Sequence, residues 1–165
     1  MSDCLCGPHT LRWSEPFEHG SGLLPYDLHI DGGAETPTQS YLGTTRLAEG
    51  WHTWTVTATD RAGNISPSPS FRFYVDTHAP AAFAATAIPR ANSVVVRWTA
   101  SSDGGSGLRR YRVVVDGQWH RSRSFTPTTH RTVLNLSPGR HRVRLVAYDR
   151  AGNPRRAALL RLLVS

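Results

Sequence analysis

Arginine is the residue in this chain best suited to chemistry. All 19 of the basic side chains are Arg. A guanidinium is a planar fork of donors that engages a carboxylate, phosphate or sulfate through two bonds at once. The distribution is uneven: residues 1–80 hold 4 Arg against 9 acidic residues, a balance of −5, and residues 81–165 hold 15 Arg against 3 Asp, a balance of +12. If Tyr111, Val113 and Val115 face inward on a strand, Arg110 and Arg112 face outward, and the same alternation turns out Arg140, Arg142, Arg144 and Arg161. Six guanidinium groups on one sheet face suit an array of anions, carried by an acidic polysaccharide or an acidic protein surface. Nucleic acid fits less well, because Tyr148 is the one obvious stacking aromatic expected on that face. The opposed charges of the two halves also suit self-association.

Other groups invite narrower readings. Asp60 with Asn64, and Asp149 with Asn153, place hard oxygen ligands four residues apart, and Asp76 adds a third carboxylate, a pattern compatible with calcium. The same Asp-Arg-Ala-Gly-Asn run also suits a closed turn, with Asp and Asn bonding the backbone and Gly taking positive φ. No other cofactor is expected. Cys4 and Cys6, with His9 beyond, form a fragment of a metal site without an evident fourth ligand, or else two terminal thiols. No Ser, Cys or carboxylate falls beside any of the eight His residues in a hydrolase-like motif, so catalysis is not expected. Gly20-Ser21-Gly22 and Gly105-Ser106-Gly107 each lead into a strand and offer no helix amino terminus to a phosphate. Trp51 and Tyr74, both on outward positions of a Thr-rich face, form a candidate contact patch.

These groups are held by an alternating, period-two pattern that runs nearly the whole chain and predicts an all-β fold. The chain also repeats itself. Arg12-Trp13, Gly20-Ser21-Gly22-Leu23, Tyr26 and Asp31-Gly32 return 85 residues later, from Arg97-Trp98 to Asp116-Gly117. Gly50, His52, Ala58 and Asp60-Arg61-Ala62-Gly63-Asn64 return 89 residues later, from Gly139 to Asn153. A period of this length means two copies of one domain-sized unit, here 1–76 and 81–165 with a linker at 77–80. His52 and His141 occupy equivalent core-facing places, and a group duplicated in that way reads as structural.

The Trp on the second strand (Trp13, Trp98), the Tyr opening the third (Tyr26, Tyr111), the Leu before a turn (Leu47, Leu136) and a strand ending in Ala-x-Asp-x-Ala-Gly-Asn resemble fibronectin type III-like and bacterial immunoglobulin-like repeats. The resemblance implies two tandem seven-stranded sandwiches. Two departures stand out: His52 and His141 stand near where the family carries a corner Tyr, and only twelve residues precede Trp13, so the first strand of the first copy must be short or supplied from outside. Members of the family commonly act as non-catalytic adhesive or spacing units of bacterial surface or secreted proteins, which is the function expected here, with the Arg face as its anionic binding site. An alternative is a structural subunit of a phage particle or surface filament, suggested by the charge polarity, the short first strand and a Met1 start without an apolar signal core. No apolar run is long enough to cross a bilayer, so membrane insertion is not expected.

Overall fold

Val, Thr, Ile and aromatic residues alternate with polar ones along most of the chain, and such sequences pay little to extend and bury one face. The computed structural model describes residues 4–5, 10–14, 16, 20–38, 41–43, 47–119 and 122–165, with the side chains of 4, 5, 10, 34–38 and 41–43 set aside. It is almost entirely β, and divides into two units, Met1–Thr77 and His78–Ser165. The second boundary differs from the expected linker. His78 and Pro80 are bonded into the second unit, where Asn153 Nδ2 donates to the His78 carbonyl at 3.1 Å and Arg155 Nε to the Pro80 carbonyl at 2.7 Å.

The first unit contains β1 (Cys4–Leu5), β2 (Thr10–Arg12), β3 (Tyr26–Ile30), β4 (Gly33–Thr38), β5 (Tyr41–Gly43), β6 (Gly50–Thr59), β7 (Ile65–Pro67) and β8 (Phe71–Val75). One sheet runs β1-β8-β6-β3-β4 with β7 also on β6, and β2 pairs with β5 to form the other. Cys4 and Leu5 of β1 pair parallel with Tyr74 and Val75 at the end of β8. Leu11, Tyr26, Leu28, Ile30, Val56, Ala58, Phe73 and Val75 form the core. Phe71 has the inward parity but is 45% exposed at the strand's start, where it stacks on Trp54 at 4.9 Å.

The second unit contains β9 (Ala85–Arg90), β10 (Ser93–Trp98), β11 (Leu108–Val115), β12 (Arg123–Phe125), β13 (Arg131–Asn135), β14 (Gly139–Asp149), β15 (Pro154–Arg156) and β16 (Leu160–Val164). Its sheets run β13-β10-β9 and β12-β11-β14-β15, with β16 also on β14. Val94, Val96, Trp98, Tyr111, Val113, Leu134, Val143, Leu145 and Ala147 fill the space between them.

In each unit the expected seventh strand is broken into two pieces on one partner, β7 and β8 on β6, and β15 and β16 on β14. In the first unit Pro69, which lacks an N–H, lies in the break, and Ser68 supplies the missing ladder bonds: its N–H donates to the Val56 carbonyl at 2.7 Å and its Oγ accepts from the Val56 N–H at 2.9 Å.

Candidate functional site

The two repeated turn motifs clasp each other within each unit. Gly22 and Gly107 take φ of 83° and 84°, a conformation that glycine adopts without strain. Their carbonyls accept from the N–H groups of Arg61 and Arg150, both at 2.9 Å. Asp60 accepts from the N–H and Nδ2 of Asn64 at 2.8 and 2.7 Å, and those bonds, the side-chain one foremost, hold its carboxyl below the ordinary range. Asp149, fully buried, accepts from the N–H groups of Gly152 and Asn153 at 2.5 and 2.8 Å and from Asn153 Nδ2 at 2.9 Å. Asp60 and Asp149 thus each close their own turn, and Asp76 is fully buried just after β8. The Cys4, Cys6 and His9 reading lies outside the described residues, since only the backbone of Cys4 is described.

A second device is also duplicated. Asp31-Gly32 joins β3 to β4 with φ of 50° and 79°, the mirror-image hairpin turn that suits strand twist, and Asp116-Gly117 takes the same backbone, φ of 48° and 75°, in a local turn at the end of β11. Asp31 accepts from the Thr53 N–H at 2.8 Å and meets His52 Nδ1 at 2.6 Å, while His52 Nε2 donates to the Ala48 carbonyl at 2.8 Å. In the second unit Asp116 accepts from the Arg142 N–H at 2.7 Å and meets His141 Nδ1 at 2.7 Å, while His141 Nε2 reaches the Ser137 carbonyl at 2.9 Å. Each imidazole thus faces an acceptor on both nitrogens, which favours its doubly protonated form. For His52 burial opposes that charge, but the Ala48 carbonyl and Asp31 outweigh it and the pKa is raised. For His141 the Asp116 bond leads, followed by the Ser137 carbonyl, and the pKa is again raised. The Thr53 N–H and His52 lower Asp31; burial resists the same shift at Asp116, where the Arg142 N–H and His141 prevail. The bond back to a carbonyl four residues upstream fills the place of the corner Tyr.

Register settles where the Arg residues point. Arg110 lies opposite Tyr148 and Arg112 opposite Val146; Val114 lies opposite Arg144, and Arg142 opposite Arg161. With Tyr111, Val113, Val143, Leu145 and Ala147 in the core, these residues share the outer face of one sheet. Arg156, opposite Val146 on β15, joins them, although the alternation argument did not include it. Val114 and Val146 are buried on this outer face, 2% and 0% exposed, a burial consistent with cover by long neighbouring Arg stems.

The six arginines do not act alike. Arg110 lies over Tyr148 at 5.3 Å, and its Nε is buried without a hydrogen-bond partner among the described residues. Arg112 lies over Trp119 at 5.3 Å, donates from Nη2 to the Trp119 carbonyl at 2.7 Å, and bonds Ser122 Oγ through Nε. The other four, Arg140, Arg142, Arg144 and Arg161, line an open groove of about 890 Å³ together with Trp119 and His141. No described carboxylate forms an ion pair with any of the six; the described ion pairs are the two His–Asp contacts. Trp119, 38% exposed, adds a stacking aromatic that the sequence reading left out. It falls in the stretch between the two repeat blocks, where the second copy is longer and no counterpart in the first copy draws attention to it.

The equivalent face of the first unit has a different chemistry. Trp51 pairs across with Tyr74, and Thr53 with Arg72; the Arg72 guanidinium sits 4.4 Å over the Trp51 ring, and Tyr74 meets that ring edge-on at 5.3 Å. Trp51 is 52% exposed, so it meets Tyr74 and Arg72 at the surface.

Comparison with known proteins gives a consistent picture. Residues 33–77 match the bacterial Ig-like domain family. The chain is 35% identical over 120 residues to "Exoglucanase B" of Cellulomonas fimi, a stretch that is 63% of this chain and 11% of that protein. Among solved structures it is similar to the fibronectin(III)-like modules of Clostridium thermocellum CbhA, with a TM-score of 0.69 at 14% identity over 99% of this chain and 90% of that one. The FN1-FN3 domains of chicken CNTN1 give a TM-score of 0.63 at 14% identity over 99% of this chain and 67% of that one. The fold is that of fibronectin III-like and immunoglobulin-like β-sandwich modules.

Proposed function

We propose that this chain is a non-catalytic binding and spacing stretch of a secreted or surface protein, and that the Arg face of its second unit holds an anionic partner. The observation that carries the reading is the groove in which Arg140, Arg142, Arg144 and Arg161 converge, where Asp116, the one described carboxylate in the lining, is paired with His141 rather than with any of the four. Arg142 and Arg161 are direct cross-strand partners, an arrangement of like charges that disfavours the free sheet and is relieved by a bound anion. The match to a short part of a much longer exoglucanase supports an extracellular setting in which the chain accompanies, rather than performs, the chemistry. Among the described residues no helix is long and apolar enough to cross a membrane.

The reading is tested by titrating the chain with polyanions at two salt concentrations. Binding should weaken steeply as salt rises, and replacing Arg142, Arg144 and Arg161 together with Gln should reduce affinity at least tenfold. Unchanged binding in that triple variant overturns the assignment of the face.

A further inference from the structure

We infer that the groove's ligand is a single acidic polysaccharide chain whose sugar rings carry carboxylates or sulfates. This inference rests on the anionic reading of the Arg face and narrows it.

Three features of the groove argue for that class. The first is spacing: Arg140, Arg142 and Arg144 stand at two-residue steps along β14, so their Cα atoms follow one another at roughly 6.6 Å in a straight line. A linear polymer with regularly repeated charges matches a line better than a folded acidic surface does. The second is width. The floor is β14, with β11 and β16 on either side, and two strand spacings of about 4.8 Å make a channel for one chain.

The third feature is composition. Phosphate or sulfate charge alone asks for guanidinium groups and nothing else, yet this groove also holds the Trp119 indole and the side chain of Leu163, which is among the exposed large apolar residues. A pyranose ring presents both kinds of surface, an apolar C–H face for an aromatic ring and charged or hydroxyl groups at its edge for Arg forks. Trp119 is held for this task by Arg112, which bonds its carbonyl and covers its ring from one side. Arg112 is therefore a positioning residue, not one of the ligand-contacting cations, and single-sided cover suits stacking on one ring at a time. A single-stranded nucleic acid also combines rings with charges, and it serves as the competing probe.

The experiment measures binding of the full chain to polygalacturonate, heparin, inorganic polyphosphate and a single-stranded oligonucleotide by titration calorimetry, with circular dichroism confirming that each variant is folded. Polygalacturonate or heparin should bind best. Trp119→Ala should lose more than tenfold toward the saccharide and less than twofold toward polyphosphate, which has no ring to stack, and Trp119→Tyr should recover most of the loss. Arg112→Gln should follow Trp119→Ala. If polyphosphate and oligonucleotide bind as well as the saccharides and Trp119→Ala changes nothing, the Arg-face reading survives and the saccharide inference is overturned. A Trp119-dependent preference for the oligonucleotide overturns it as well. Failure of all four polyanions to bind overturns the reading beneath it.

Discussion

Two histidines decide how each unit responds to pH. Both His52 and His141 have pKa values raised above the ordinary 6.5, so the stability they contribute is fully present below 6.5 and is lost as pH rises through the higher folded value. Asp31 and Asp116 are lowered below the ordinary 3.8, so their contribution is present above 3.8 and is lost as pH falls through the lower folded value. Maximum stability is therefore expected between about pH 4 and 6.5, and melting temperature followed across pH should peak there. Asp116→Asn removes the anion from this exposed pair and should cost about 0.5–1 kcal/mol in a denaturant titration, while flattening the alkaline side of the profile. The clamp also bears on the groove. Asp116 and His141 both line it beside Arg140, Arg142, Arg144 and Arg161, and protonated His141 neutralises the one carboxylate among them. Loss of that proton lowers the groove's net charge by one, so polyanion affinity should fall as pH rises through the folded His141 value.

At the level of strands and turns, the sequence was most readable where burial repeats every second residue. Val94, Val96 and Trp98, or Tyr26, Leu28 and Ile30, alternate cleanly because one face is dry, and the structure buries each of them. The break in the last strand was not readable, because its first piece is wholly exposed and carries no apolar alternation, so the change of inward parity from Ser66, opposite Ala58, to Phe73, opposite His52, leaves no mark in the pattern. The Asp–His clamp was half legible. His52 and His141 stood out as duplicates, as did the two Asp-Gly turns, but contacts 21 and 25 residues apart in sequence depend on strand pairing. Trp119 was missed because it sits in a loop with no period and no repeat. A prediction belongs to the clasped turns: Gly107→Ala forces a side chain into φ of 84° and should destabilise the second unit by about 1–2 kcal/mol, measured by urea unfolding. Core substitutions should cost more. Leu145→Ala, in a fully buried position, should lose about 2–5 kcal/mol.

Across the whole molecule, each unit has its own core and its own copy of both bonded devices. A segment from residue 78 to 165 should therefore fold alone, with a β-type circular dichroism spectrum and cooperative melting, and should retain the polyanion binding of the full chain. Charge is segregated in the same way, with an acidic balance in residues 1–80 and a basic one in 81–165. The two outer faces compared above begin from one template. Aligning Gly50 with Gly139 sets Trp51, Thr53 and Thr55 against Arg140, Arg142 and Arg144, and Arg72 against Arg161. The same backbone therefore presents an aromatic and hydroxyl surface once and a guanidinium surface once.

The clamp carries a date. Because Asp31 with His52 and Asp116 with His141 hold equivalent places with the same partners, the device was already present in the single-copy ancestor. The outer faces now disagree at Trp51 and Arg140, Thr53 and Arg142, so at least one of them has been rewritten since the gene doubled. Descent has thus kept the parts that hold each sandwich shut and left the sheet's outer surface free to change.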